Sequence, residues 1–356
     1  SSAASDVYKR QVLILAQFLE YLESGERDPE EITFMEPQAG GACRAGNIYN
    51  LLQRVLYRMV EQGQLEYAQI PVISLNLMGE EKHTGFRITP SLLSGGIAAG
   101  CYGDLIMCLY QQVKPYEQNP GETDRIRSQV EKKLCESIRR HRNGRHTREK
   151  NYRYACEVFS KVPVKPGKKK RVGITGEIYM KYSKLGNDDI ESFLLRQGME
   201  PYSGGFVNYC LYLVDTERYK AEKYQHNPIM AKACAFVLHR LCEAQKHLLT
   251  VIGETDRFQT DLPFPELKEK VQGILAEGCN TGDGWLIAAE VIQYVEKGCG
   301  SVLILHPFGC LVSHVCERGI LQRLHARFPD VSIQTIEYDY DQSKTLRESR
   351  ILLAIS

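Results

Sequence analysis

The second half of the chain alternates short apolar runs with helix-length amphipathic segments, and this alternation limits the fold more than any other feature. Residues 171–179 (RVGITGEIY) read as a strand ending in Gly-Glu, and 301–306 (SVLILH) as a strand buried on both faces. A third strand is expected at 331–337. Between them, Asn187, Asp188 and Asp189 form a cap for a helix to Gln197, which Gly198 ends. Helical periodicity covers 228–251 and 266–276, and Thr281, Gly282 and Asp283 cap a helix over 284–297 that Gly298 closes. Helices at 311–328 and 343–354 complete the pattern. Strands alternating with helices specify an α/β layer structure with a mostly parallel sheet.

The first half is richer in helix, expected at 12–22, 48–61, 92–113, 123–139 and 147–161, with short strands at 31–34 and 70–75. Residues 162–170 (VPVKPGKKK) read as a linker. The organisation expected is therefore a helix-rich α/β lobe over 12–161 and a second α/β lobe over 171–356. A length of 356 residues lets each lobe bury its own core. Residues 1–11 (SSAASDVYKRQ) resemble the translated read-through of a sequencing adapter, so they are expected to be a non-native tail on a fragment of a longer protein.

Charge excludes two classes of partner at this stage. The 45 Lys and Arg residues nearly balance 44 Asp and Glu, leaving +1, which offers no general attraction to nucleic acid or to an anionic membrane. The basic stretch 139–153 reads as a solvated helix and loop, with a phosphate-bearing small ligand as the alternative. The most apolar stretch, 88–110, is interrupted by Asp104 and several glycines, so no membrane span is expected and the location expected is cytoplasmic.

Twelve cysteines occur without a single CxxC pair, which removes zinc ribbons, thioredoxin-like sites and local ferredoxin-type runs. Most sit in apolar helical surroundings and read as small buried hydrophobes. Cys43 and Cys310 differ. Each follows a short strand through a glycine-containing turn and precedes a helix, in GGACRAGN and HPFGC. The carboxyl edge of a parallel sheet is where ligands bind, and a helix N-terminus favours a thiolate, so both are expected as reactive thiolates. His314, four residues after Cys310, shares its helical face. A surface or core histidine is the favoured reading, because no further ligand pairs with it at zinc spacing. There is no GxxxxGK[ST] and no GxGxxG.

Five segments carry a family resemblance: 33–56 (TFMEPQAGGACRAGNIYNLLQRVL), 114–126 (KPYEQNPGETDRI), 171–194 (RVGITGEIYMKYSKLGNDDIESFL), 280–292 (NTGDGWLIAAEVI) and 306–320 (HPFGCLVSHVCERGI). Together they resemble the acyl-CoA dehydratase activase-related proteins, over nearly the whole chain from about residue 12. The resembling part is the C-terminal region similar to 2-hydroxyacyl-CoA dehydratase subunits; the family's upstream cysteine motif and its activase domains are not in this sequence. The resemblance implies an α/β fold of two Rossmann-like lobes with mostly parallel sheets. It also implies a [4Fe-4S] cluster in the cleft, with Cys43 and Cys310 as the candidate cofactor and metal ligands. Activase-like ATPase domains of the same full-length chain would be the partner and would hold the ATP. An acyl-CoA is the implied ligand.

Three functions follow, in order. The first is an iron–sulfur redox module of a 2-hydroxyacyl-CoA dehydratase (lyase) system, receiving low-potential electrons from an ATP-dependent activase. The second is a non-redox scaffold or regulatory ligand-binding domain of such a fusion protein. The third is a cysteine-nucleophile enzyme built on Cys310 with His314 as base. No acid/base pair is evident, so no catalytic residue is named.

Overall fold

The computed structural model describes residues 9–37, 44–64, 67, 70–75, 89–339 and 342–356. Among them, parallel strands β3 (Arg171–Gly176), β4 (Glu200–Tyr202), β5 (Ser301–Pro307) and β6 (Ser332–Tyr338) form one sheet in the order β4-β3-β5-β6. A separate two-stranded parallel sheet joins β1 (Phe34–Pro37) to β2 (Val72–Leu75). The chain is thus an α/β protein dominated by helix, as the strand–helix alternation predicts.

Strand alternation sorts the larger sheet's side chains onto two faces. Val302, Ile304 and Ile333 enter a core that runs from Ala98 to Ile333 in sequence. Leu303, Leu305, Ile336 and Tyr338 face the other way, onto Met180, Ile190, Phe193 and Leu194. These last residues belong to α6 (Ile178–Tyr182) and α7 (Ile190–Arg196), the crossover from β3 to β4. Strand β5 is buried through its first six residues, which is why its sequence shows an unbroken apolar run.

The first core also takes in α3 (Pro90–Val113), α4 (Glu122–Arg139) and α5 (Arg145–Ser160), packed with α8 (Phe206–Lys223) and α9 (Pro228–Gly253). Residues on both sides of 162–170 therefore share one core, and Val162 is itself part of it. A second, small core of Leu22, Ile32, Phe34, Leu52 and Leu56 joins α1 (Lys9–Glu23) and α2 (Ile48–Glu61) to β1. Helix α1 starts within the segment expected to be a tail.

Caps explain several boundaries. Thr89 accepts a hydrogen bond from the Leu92 N–H at 3.1 Å and Pro90 opens α3; Asn227 accepts from the Met230 N–H at 3.0 Å and Pro228 opens α9. The strand expected over 171–179 ends at Gly176 and α6 replaces its last residues. Two further elements are absent from the sequence expectations. They are β4, only three residues long, and α8, whose N-terminus is held by Asp104: its carboxylate accepts the Phe206 and Val207 N–H groups at 2.7 and 2.9 Å. The helix expected over 266–276 is shorter, Phe264–Glu269 (α10), and gives way to turns.

One helix among the described residues, Pro90–Tyr116, is long and apolar enough to cross a membrane, with a mean hydropathy of 1.5 in its most apolar window. This departs from the expectation of no such helix. Its inner face, including Cys101, Leu105 and Leu109, packs into the core, and 28% of that window is buried.

Candidate functional site at the carboxyl edge of the sheet

From β3 the chain crosses through α6 and α7 to β4 on one side. From β5 it crosses through residues 308–327 to β6 on the other, packing α12 (Arg318–Arg327) on the opposite face. The crevice between the ends of β3 and β5 is therefore a topological switch point, the place where open α/β sheets bind ligands.

Gly176 ends β3 at φ +130°, and a Cβ there would stand 2.0 Å from the Leu305 carbonyl oxygen, so no other residue fits. This close approach lets the Glu177 N–H donate to that oxygen at 2.8 Å. The Glu177 carboxylate then caps α6, accepting the Tyr179 and Met180 N–H groups at 3.1 Å each. Behind it, Lys181 donates to both oxygens of Glu290 at 2.8 and 2.9 Å, and the Thr175 hydroxyl donates to Glu290 at 2.5 Å. Glu290 stands on α11 (Gly284–Glu296), so the pair ties the end of β3 to that helix; both side chains are 3% exposed.

On the β5 side, Pro307, Phe308 and Gly309 (φ +70°) lead to Cys310 at the start of a helical segment. This segment passes through a π-turn, Ser313–Glu317, before α12. The loop before α11 leans on it: a Cβ on Gly282 would meet Val312 at 2.7 Å. Three of the quoted segments, 171–194, 280–292 and 306–320, thus meet at one sheet edge.

The structure places Cys310 at the crevice, where the sequence puts it, but corrects its expected ionisation. Burial pushes the thiol up to about 11. A hydrogen bond from Ser313 pulls the other way, and the Glu177 and Glu317 carboxylates add to the rise. Cys310 is a neutral thiol here. His314 does not turn toward it as a base: its Nδ1 lies 2.8 Å from the Cys310 carbonyl oxygen. His306, the last buried residue of β5, is pushed down to about 4 by burial and is neutral. Cys43 lies outside the described residues. Cys101, Cys156, Cys299 and Cys316 are buried and free, in keeping with structural roles.

Sequence reasoning did not single out Glu177, Lys181, Glu290 or Glu317. Glu290 left a trace, a lone acid inside the apolar run WLIAAEVI. Glu317 left none: it is 0% exposed, and neither of its carboxyl oxygens has a hydrogen-bond partner among the described residues. Burial, with further increments from Asp283 and Glu177, raises its pKa well above the ordinary range against the pull of Ser313 and Arg318.

As a test of metal binding, no group of three or more His, Cys, Asp or Glu side chains among the described residues is placed to hold a metal ion. The basic stretch 139–153 is partly neutralised at the surface, through Arg140 with Glu136 and Arg153 with Glu149 and Glu254. Compared with family models, with curated proteins and with solved structures, the chain finds no match.

Proposed function

We propose that the chain is a cytoplasmic redox module of an anaerobe, related to 2-hydroxyacyl-CoA dehydratase subunits and supplied with low-potential electrons by an ATP-dependent activase. In this reading the four-stranded sheet is the core of a Rossmann-like lobe, and its switch-point crevice is the site. What supports it is the meeting of three of the resembling segments around Cys310, at the edge where such a sheet binds ligands.

A [4Fe-4S] cluster takes about four thiolates, and among the described residues no three metal-ligating side chains gather to hold a metal ion, at Cys310 or elsewhere. The fit is therefore partial, and the remaining ligands would be Cys43 and thiols brought by other parts of the full-length protein. When bound, the cluster supplies a one-electron couple. The chain's own residues fix where its ligand stands: Gly176 brings β3 against β5, Lys181 and Glu290 lock that end to α11, and the Gly309 turn presents Cys310.

Iron and acid-labile sulfide, measured on anaerobically prepared protein, test the reading. Broad absorption near ~400 nm that Cys43→Ser and Cys310→Ser both weaken is the expected result. Iron-free protein after reconstitution would instead support a scaffold or regulatory ligand-binding domain.

A further inference from the structure

We infer that the groove between α4 and α5 is a binding site whose ligand is a linear polyphosphate group. The inference is independent of the cluster reading, because it uses none of the residues at the sheet edge.

On the outer side of α4, Arg125, Ser128, Gln129, Lys132 and Lys133 recur at helical spacing, so one stripe carries them all. With Tyr154 of α5 they line an open groove of about 740 Å³, a volume in the range of small-molecule sites. No carboxylate is among these side chains. Elsewhere on the two helices cations are matched: Arg127 with Glu131 at 2.7 Å, and Arg153 with Glu149 and Glu254 at 3.0 and 2.5 Å. In the groove, Lys132 and Lys133 have no ion-pair partner among the described residues, and Arg125 reaches Glu122 only at 3.9 Å. Glu157 lies close enough to feel Lys133, but it is bonded to Lys161 at 2.5 Å. Unmatched cations lining a concave site focus a positive potential that draws in anions.

Geometry selects the anion. Arg125 and Lys132 are seven residues apart on one helix, about 10 Å along its axis. A chain of linked phosphates spans that distance and meets each cation in turn, whereas a single phosphate group reaches only part of the set. Arg also takes phosphate oxygens in pairs, and the Ser128 hydroxyl is a neutral donor between the two cations. Gln129 donates to the Tyr154 oxygen at 3.0 Å, which leaves the Tyr154 O–H to donate in its turn. The Lys133 ammonium lies 3.2 Å from the centre of the Tyr154 ring, and no other aromatic side chain lines the groove. A nucleobase therefore has no platform to stack on, and the groove reads phosphates alone. An acidic peptide fits less well, because its carboxylates ride on separate flexible side chains that must each be ordered.

Titration calorimetry of the purified chain in about 0.1 M salt tests this, with inorganic tripolyphosphate, orthophosphate, guanosine triphosphate and a hexaglutamate peptide as ligands. Wild type should bind tripolyphosphate at least about tenfold more tightly than orthophosphate. Arg125→Gln, Lys132→Gln and Lys133→Gln should each weaken that binding about threefold, the scale of an exposed charge pair, and the triple variant at least about tenfold. Lys344→Gln, on α13 (Lys344–Ile355), removes an exposed charge outside the groove and should stay within about twofold of wild type. All four side chains are at the surface, so these variants keep the fold. Raising the salt to about 0.5 M should weaken wild-type binding at least about tenfold, a test that needs no variant. Guanosine triphosphate binding as tightly as tripolyphosphate adds nucleotides to the ligands, and weaker binding assigns the groove to the free chain. Tighter binding of the nucleotide requires a contact to its base and overturns the proposal. So does a lack of binding to tripolyphosphate, equal binding of orthophosphate or hexaglutamate, an affinity insensitive to salt, or a triple variant that binds like wild type.

Discussion

Replacing Lys181 by Met strands the Glu290 carboxylate in a site where both partners are 3% exposed. Removing one partner of a buried ion pair costs about 3–5 kcal/mol, because the remaining charge has lost both water and counter-charge. A stranded carboxyl group escapes by taking a proton, and for an acid of ordinary pKa about 4.3 that costs about 4 kcal/mol at pH 7 and only about 1 kcal/mol at pH 5. The loss in Lys181→Met should therefore grow as pH rises. Glu290→Leu strands the ammonium instead. Neutralising a lysine of ordinary pKa about 10.4 costs about 5 kcal/mol at pH 7 and about 2 kcal/mol at pH 9, so its loss should shrink as pH rises. The double variant removes both charges and leaves the Thr175 hydroxyl without its 2.5 Å acceptor, for about 1–3 kcal/mol with little pH slope. Urea unfolding at pH 5, 7 and 9, followed by far-ultraviolet circular dichroism, measures all three. Single variants that each cost under about 1 kcal/mol at pH 7, with parallel pH slopes, would refute the reasoning, since the pair would then be solvated.

Other substitutions test the frame of the crevice. Gly176→Ala, whose Cβ would stand 2.0 Å from a backbone oxygen, should cost more than about 3 kcal/mol, whereas Gly198→Ala, at φ +75° in open space, should cost about 1 kcal/mol; thermal melts of both compare the two. Asp104 has its pKa raised to about 7 by burial, with Asp261 adding to the rise and the Val207 and Phe206 N–H groups opposing it. The native state then holds this proton more tightly than the unfolded chain does, so the group's contribution is full below about pH 4 and is lost as pH rises through about 7. Unfolding free energy measured from pH 4 to 8 should fall less steeply in Asp104→Asn than in wild type, and an unchanged slope would place the proton elsewhere. Asn227→Ala removes the cap of α9 and should cost about 1 kcal/mol in urea unfolding.

The parts of the fold that local chemistry dictates were legible. Strand β5 shows as an unbroken apolar run, and helical periodicity marks α3 and α9 to within two residues of their observed ends. The misses have tertiary causes. Strand β4 has three residues and exists through its pairing with β3, and α8 starts where a carboxylate from α3 meets its N-terminus. Residues 162–170 look like a linker by composition, but a linker and a surface connection between two parts of one core share the same Pro and Lys content. Only the burial of Val162 distinguishes them.

Cys310 was legible as a position because a strand, a glycine turn and a helix start are consecutive in sequence. Its protonation was not, and the magnitudes show why. A helix N-terminus favours a thiolate by about 0.3–1 kcal/mol, under one pH unit. Burial acts against it and prevails, leaving the thiol at about 11 with the nearby carboxylates adding to the rise. One of those carboxylates, Glu177, follows β3, more than a hundred residues before Cys310, and no spacing in the sequence puts it beside residue 310. The same remoteness hides Glu317. In sequence it is an ordinary acid in a mixed helical segment, and it becomes unusual only when folding buries it, with Asp283 and Glu177 on two other elements adding to the effect. An electrostatic site assembled from three separate segments has no local signature, so its chemistry becomes readable only once the sheet edge has formed.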